Sequence, residues 1–288
     1  MSKKTYKRAT QDVGNMLCME HVNVLVPDQR IATDFYVGGL GFTRDPYMMV
    51  DTNNMWVNVG EQQFHLPTRG QQVLRGHIGL VVPSLEDLQQ RLASVKERLA
   101  DTQFACAVED GYVAVTGPWG NKFRCYAPSK RFGNMTLGIP YVEFEVKTGT
   151  ADGIARFYKK IIKAPATVSK DGGVARVGVG NNQELVFRET GTKLPKYDGH
   201  HIAVYIANFS GPHKFLLKYG LVTEETNDFQ YRFEDIVDPD TGEKLFKIEH
   251  EVRSLYHPMF GRERNFVNRN PSQNLRDYSR GHDAFVAV

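Results

Sequence analysis

One strand pattern occurs four times in the chain: His21-Val-Asn-Val-Leu-Val, His77-Ile-Gly-Leu-Val-Val, Tyr141-Val-Glu-Phe-Glu-Val and His201-Ile-Ala-Val-Tyr-Ile, with starts 56, 64 and 60 residues apart. A near-constant period means one supersecondary unit used repeatedly, each copy needing a neighbour to bury its apolar side. Three of the four copies open with histidine. Equivalent strands that each send an imidazole into a shared cavity can assemble a metal site.

The first copy shows the unit. Residues 21–26 alternate and stop at Pro27, as a strand does; Arg30 to Val37 has helical spacing through Ile31, Phe35 and Tyr36, and Gly38-Gly39 ends it. Short strands follow between Thr43 and Pro67. In the second copy Ser84 caps a helix whose stripe is Leu85, Leu88, Leu92, Val95 and Leu99. The third copy has its helix at about 151–163. The fourth has a helix near 211–219 and a hairpin at Asp238-Pro-Asp-Thr-Gly242. The fold class is therefore α+β, built from four βαβββ modules. The modules are expected to pair in chain order: a tail 1–18, an N-terminal domain 19–130, a C-terminal domain 138–251 and an extension 252–288. Pairing within one chain and pairing across a homodimer both satisfy the pattern. The segment Arg253–Arg262 reads as a plain extension, the alternative being that it folds back over a pocket.

Side chains alternate across a strand. In every copy one face is wholly apolar: Val22/Val24/Val26, Ile78/Leu80/Val82, Val142/Phe144/Val146 and Ile202/Val204/Ile206. That face packs under the unit's helix. The opposite face carries His21, His77, Tyr141 and His201 and should line a cavity. By the same parity Gln63 and His65, Arg124, and Glu249 point inward from the last strands. Asn54, Trp56 and Asn58 alternate on one face of a first-module strand, where they could line a substrate pocket or simply an edge. His200 and His250 have the opposite parity.

Charge and composition remove several function classes. The 36 basic and 33 acidic residues leave no general pull toward nucleic acid or membrane, and basic clusters at both ends read as solvated tails. No apolar run is long enough to span a bilayer, and no secretory signal is visible. Cys18, Cys106 and Cys125 are too scattered for a disulfide framework and suit a reducing, cytoplasmic compartment.

The strand–helix–three-strand unit, the Phe35-Tyr36…Leu40-Gly41-Phe42 run with its echo Phe157-Tyr158, and Gly120-Asn121-Lys-Phe-Arg124 together resemble the vicinal oxygen chelate (VOC) superfamily. That superfamily includes glyoxalase I, fosfomycin and bleomycin resistance proteins and extradiol dioxygenases. The resemblance covers about residues 19–251. It implies paired modules curled into half-open mixed-sheet barrels around a divalent ion, with ligands from the first and last strands of each module. For modules paired in order, it places a site on His21, His65 and His77 for Fe, Zn, Ni or Mn, with Arg124 in place of the usual glutamate and free to hold a substrate carboxylate. The alternative site is His201, Glu249 and Tyr141. Asn54, Trp56, Asn58, Gln63 and Arg124 are the expected substrate contacts, and Arg124 and Glu249 the expected catalytic groups. The activity implied is that of a metal-dependent lyase or isomerase acting on a small oxygen-rich molecule. An Fe(II) ring-cleaving dioxygenase and a non-catalytic binding or resistance protein are the alternatives.

Overall fold

Each copy of the repeat folds into the expected strand, helix and further strands. The computed structural model describes residues 6–45, 48, 53–180 and 182–262, plus the backbone of two short strands beyond them. The start of the tail and most of the expected C-terminal extension lie outside the described residues. The first module holds β1 (Met16–Asn23), α1 (Gln29–Ala32) running on as a π-helical stretch Thr33–Gly39, β2 (Thr43–Arg44), β3 (Asn54–Val59) and β4 (Gln62–Pro67). The second holds β5 (Gly76–Val81), α2 (Leu85–Val95), β6 (Ala105–Glu109), β7 (Tyr112–Thr116) and β8 (Lys122–Tyr126). The third holds β9 (Gly138–Lys147), α3 (Ala151–Phe157) with a π-helical continuation Tyr158–Ile162, β10 (Ala166–Val168), β11 (Val174–Val179) and β12 (Gln183–Thr190). The fourth holds β13 (His201–Ile206), α4 (Ser210–Lys218), β14 (Val222–Asn227), β15 (Gln230–Val237) and β16 (Lys244–Arg253). Two short strands, β17 (Phe266–Asn268) and β18 (Phe285–Ala287), pair with each other.

The helices start where the sequence provides caps. Asp28 accepts from the Arg30 and Ile31 amides at 2.7 and 2.9 Å, and Ser84 accepts from the Asp87 amide at 3.1 Å. The stripe Leu88, Leu92 and Val95 of α2 is buried, each side chain stabilising the fold by roughly 1.5–3 kcal/mol. Gly38 and Gly39 lie against Val95, where an added Cβ would meet its methyls at 3.1 Å. The glycine pair thus ends the first helix and also lets it approach α2 closely. The apolar faces of the four repeated strands form the core, with Val22, Val24, Ile78, Leu80, Val142, Phe144, Ile202 and Val204 all nearly inaccessible.

The sheets do not follow the expected pairing of neighbours. One eight-stranded sheet has the order β14-β15-β16-β13-β1-β4-β3-β2, and the other β10-β11-β12-β9-β5-β8-β7-β6. Module one shares a sheet with module four, and module two with module three. The seams are antiparallel, β1 on β13 and β5 on β9, while first and last strands of each module run parallel. Strand parity could not foresee this, because either pairing buries the same apolar faces. Two local facts favour the observed one. The short connection after β8 brings Gly138 opposite Val81, so β9 lies beside β5. Modules one and two meet instead through α2 and the glycine-ended helix. Among the described residues no helix is long and apolar enough to cross a membrane.

Candidate metal centre

The first sheet brings His21 and His201 together at its seam. His21 lies on β1 opposite Ala203, and Asn23 opposite His201. The two imidazole centroids are 5.7 Å apart, and that of His65 is 5.8 Å from that of His21. The parallel pairings place His65 beside Asn23 and Glu251 beside Ala203. His65 and Glu251 are therefore equivalent positions, each next to the residue two beyond its module's leading histidine. One nitrogen of His21, one of His201 and one carboxylate oxygen of Glu251 lie within 4.8 Å of one another, and all three residues are buried.

Carboxylates and guanidiniums surround this group. A shift in register between Met19 and His21 lets Glu20, adjacent in sequence, reach His21 Nδ1 at 3.1 Å. Arg253 bonds Glu20 and donates to Glu251 Oε1 at 2.6 Å. Arg232 bonds both Glu249 and Glu251. His201 Nδ1 is 3.2 Å from Glu249 and its Nε2 is 3.6 Å from Glu251. Burial alone would raise the Glu251 carboxyl, but the neighbouring His201 and the charges of Arg253 and Arg232 hold it well below the ordinary range. Glu251 is therefore ionised. Burial pushes His21 down to about 4. Burial, with His21 and His201 nearby, pushes His65 down to about 2. Both rings are neutral near pH 7, the form that coordinates.

The donor set fits a divalent ion. The Nε2 atoms of His21 and His201 are buried without a hydrogen-bond partner, which is costly unless something accepts their lone pairs or protons. Beside them stands an ionised carboxylate. Two imidazoles and one carboxylate with open positions form a recognised transition-metal donor set.

The expected residues are partly assembled. His21 and His65 share this cavity with His201, which sequence reading had assigned to a separate site. His77 and Arg124 do not join them; they lie on the second sheet, because module two pairs with module three. Tyr141 is there too, its hydroxyl 3.2 Å from His77 Nε2, and not beside His201. Glu249 lies next to the centre, bonded to Arg232, while Glu251 supplies the clustered oxygen. The two share parity, and only the strand register separates them. Trp56 stacks on His65 at 3.9 Å, Asn54 Oδ1 is 2.6 Å from His65 Nε2, and Asn58 and Asp45 accept from Gln63 at 2.7 Å each. Of the expected pocket face, Asn54 and Trp56 thus touch His65, while Asn58 and Gln63 bond each other. Glu20, Arg232 and Arg253 were not foreseen. For Arg253 the one signal was its alternation with Glu249 and Glu251 along a single strand face.

The segment after β16 folds back over this sheet. His257 Nδ1 lies 3.4 Å from the Tyr205 hydroxyl, and Phe260 packs on the Tyr205 ring with centroids 5.0 Å apart. Arg262 donates to both oxygens of Asp45, at 3.0 and 2.7 Å, tying the fourth module's end to the first module. A plain extension does not describe it.

Known structures share this architecture. A putative dioxygenase from Bacillus subtilis subsp. subtilis str. 168 is 16% identical, with 83% of this chain and 86% of that chain covered and a TM-score of 0.54. Glyoxalase I from Zea mays is 14% identical, with 82% and 92% covered and a TM-score of 0.58. No protein-family model matches the sequence, and no curated protein does. The chain has the VOC fold over most of its length, and at these identities the likeness speaks for the fold alone.

Proposed function

We propose that the chain is a metal-dependent enzyme whose ion is held by His21, His201 and Glu251, with His65 at the fourth corner of the cavity, and whose substrate is a small molecule with neighbouring oxygens. The observation that carries this is the pair of buried, unpartnered Nε2 atoms within reach of an ionised carboxylate. Two histidines and one carboxylate are the donor set of non-haem Fe(II) oxygenases. We therefore place dioxygenase chemistry first. Iron(II) bound there would supply dioxygen activation and chelation of the substrate oxygens.

The protein's own groups support that order. Isomerase or lyase chemistry of the glyoxalase type needs a carboxylate able to take a proton. Here Arg232 engages Glu249 and Glu251, and Arg253 engages Glu20 and Glu251. Of these, Glu251, the carboxylate of the cluster, is held well below its ordinary range and is a poor proton acceptor. His65, stacked on Trp56 and neutral, is placed to accept or donate a hydrogen bond to a bound hydroxyl without adding charge. The segment 254–262 packs on Tyr205 and reaches Arg253 through Met259, beside the carboxylates of the centre.

Elemental analysis of untagged protein purified without chelator tests the reading. One transition-metal ion per chain is expected, with iron favoured, lost in His201→Ala and Glu251→Ala and kept in His77→Ala. Oxygen uptake with a panel of catechols then separates turnover from binding alone. Retention of metal in His201→Ala, or its loss in His77→Ala, would refute the assignment. A protein that never retains metal would favour the binding-only alternative.

A further inference from the structure

The second sheet carries the same four corners with different chemistry. Register matches His77 to His21, Arg124 (beside Gly79) to His65 (beside Asn23), Tyr141 to His201 and Val186 (beside Glu143) to Glu251. Only one of these four side chains, His77, is an ordinary ligand for a divalent ion. Arginine cannot coordinate, and valine offers no donor. Burial and the Tyr126 hydrogen bond at 2.9 Å keep the Tyr141 phenol protonated, well above its ordinary range. Its ring lies across Gly79, leaving no space for a Cβ there.

Beside these corners is an open cavity of about 350 Å³, lined among others by His77, Ala107, Tyr112, Ala114, Lys122 and Arg124. That volume is within the range of small-molecule sites. The space has an identifiable origin. Ala114 pairs with Arg124 as Trp56 pairs with His65. In the first sheet the indole covers the corner; in the second a methyl group leaves it open. Ala105 and Ala107, small and exposed on the edge strand, widen it. Arg124 and Lys122 are exposed, and among the described residues neither is within ion-pair distance of a carboxylate. The Arg124 guanidinium lies over the Tyr112 ring, 5.4 Å from its centroid. The carboxylate nearest His77, Glu143, is already held by Arg188 through two bonds at 2.7 and 3.0 Å. Glu145 also lines the cavity, next to Arg188 in strand register.

We infer that this cavity is a second ligand site, distinct from the metal centre, which binds a small organic anion, its carboxylate or phosphate held by Arg124 and Lys122 and its body resting on Tyr112 above Ala114. Charge-assisted bonds from a guanidinium to an oxyanion are among the stronger polar contacts. The inference does not rest on the metal reading, because no ligand of the first sheet takes part.

Benzoate and phenyl phosphate, one ring with two headgroups, are the probes. Chelator-treated full-length protein at low ionic strength should bind at least one of them at a single site by calorimetry. The preferred headgroup then tells whether carboxylates or phosphate esters are the natural class. Amide shifts should concentrate at residues 105–107, 112–116 and 122–124. Arg124→Ala should weaken binding at least about tenfold, the loss of one charged contact. Ala114→Trp, which refills the space as Trp56 does in the first sheet, should abolish it, while His201→Ala should leave it unchanged. Failure of both probes to bind would overturn the inference. So would binding that survives Arg124→Ala, or binding that is lost in His201→Ala.

Discussion

Arg253→Met tests the electrostatic frame of the metal centre. Arg253 is 5% exposed and lies between two more deeply buried carboxylates, Glu20 at 1% and Glu251 at 2%. Its guanidinium bonds Glu20, Glu251 and, at 3.1 Å, Gln230. Methionine keeps much of the stem volume, so the cavity contribution is small and the charge contribution dominates. Stripping a buried carboxylate of its charge partner costs about 3–5 kcal/mol. Both carboxylates lose this guanidinium, and about 4 kcal/mol is expected. Urea denaturation of chelator-treated protein at neutral pH measures it, and a thermal scan should show a midpoint lower by roughly 8 °C. Glu20→Gln in the same background removes one of the two carboxylates that Arg253 faces and should recover at least about 2 kcal/mol, a coupling visible in the double-mutant cycle. A loss below about 1 kcal/mol in Arg253→Met, or strictly additive losses in the cycle, would show that the buried pair does not organise the site.

Acid sensitivity should come in part from His250, which burial pushes down from 6.5 to about 4. Its Nε2 meets the Tyr158 hydroxyl at 2.6 Å and its ring stacks on Phe233. The folded state binds fewer protons than the unfolded one between those values, so this contribution is complete above pH 6.5 and is lost as pH falls toward 4. It amounts to about 3 kcal/mol. In denaturation curves recorded from pH 7 to 4, His250→Phe should start less stable yet lose about 3 kcal/mol less than the parent; parallel curves would contradict this. The corner equivalences make a constructive prediction as well. Tyr141→His with Val186→Glu should add a second metal equivalent beside His77, read by elemental analysis against the single-site parent. An unchanged metal content in a folded double variant would mean that the register match does not set the corner positions.

Much of this was legible because strand alternation is a strict constraint. Parity alone placed His21, His65, His201 and Glu249 on the inner faces, and the cap at Ser84 marked its helix. Module pairing was not legible. Chain order suggests one to two and three to four, yet the apolar faces are satisfied equally by one to four and two to three. The choice depends on the connection after Tyr126 and on the close packing of Gly38 and Gly39 against Val95, both tertiary facts. That single difference moved His77 out of the centre and brought His201 in. Glu251 was missed for a narrower reason: it shares parity with Glu249, and hairpin lengths differ between modules, so counting from the leading histidine cannot choose between them. Glu20 escaped because it depends on a register shift that breaks the alternation on which the reading relied.

The two sheets also show where the chemistry of a duplicated unit can diverge. Their apolar faces must stay closely packed, since Val22, Ile78, Val142 and Ile202 all sit in one continuous core and any change there is felt as strain or void. The four inner corners lie outside that core, although Tyr141 and Val186 pack in a second, smaller cluster. In one sheet they are His21, His65, His201 and Glu251, electron-pair donors suited to a cation; in the other they are His77, Arg124, Tyr141 and Val186, which offer a guanidinium and a protonated phenol. The position beside the His65 corner differs in step, an indole over the imidazole in one sheet and a methyl beside the guanidinium in the other. Filled space around His65 holds a neutral ring rigid beside the donor cluster, whereas open space around Arg124 leaves a charged group able to meet a ligand. Opposite charge preference and opposite filling at equivalent positions point to two sites with separate tasks, whereas simple decay of one copy would be expected to leave a corner that is merely filled.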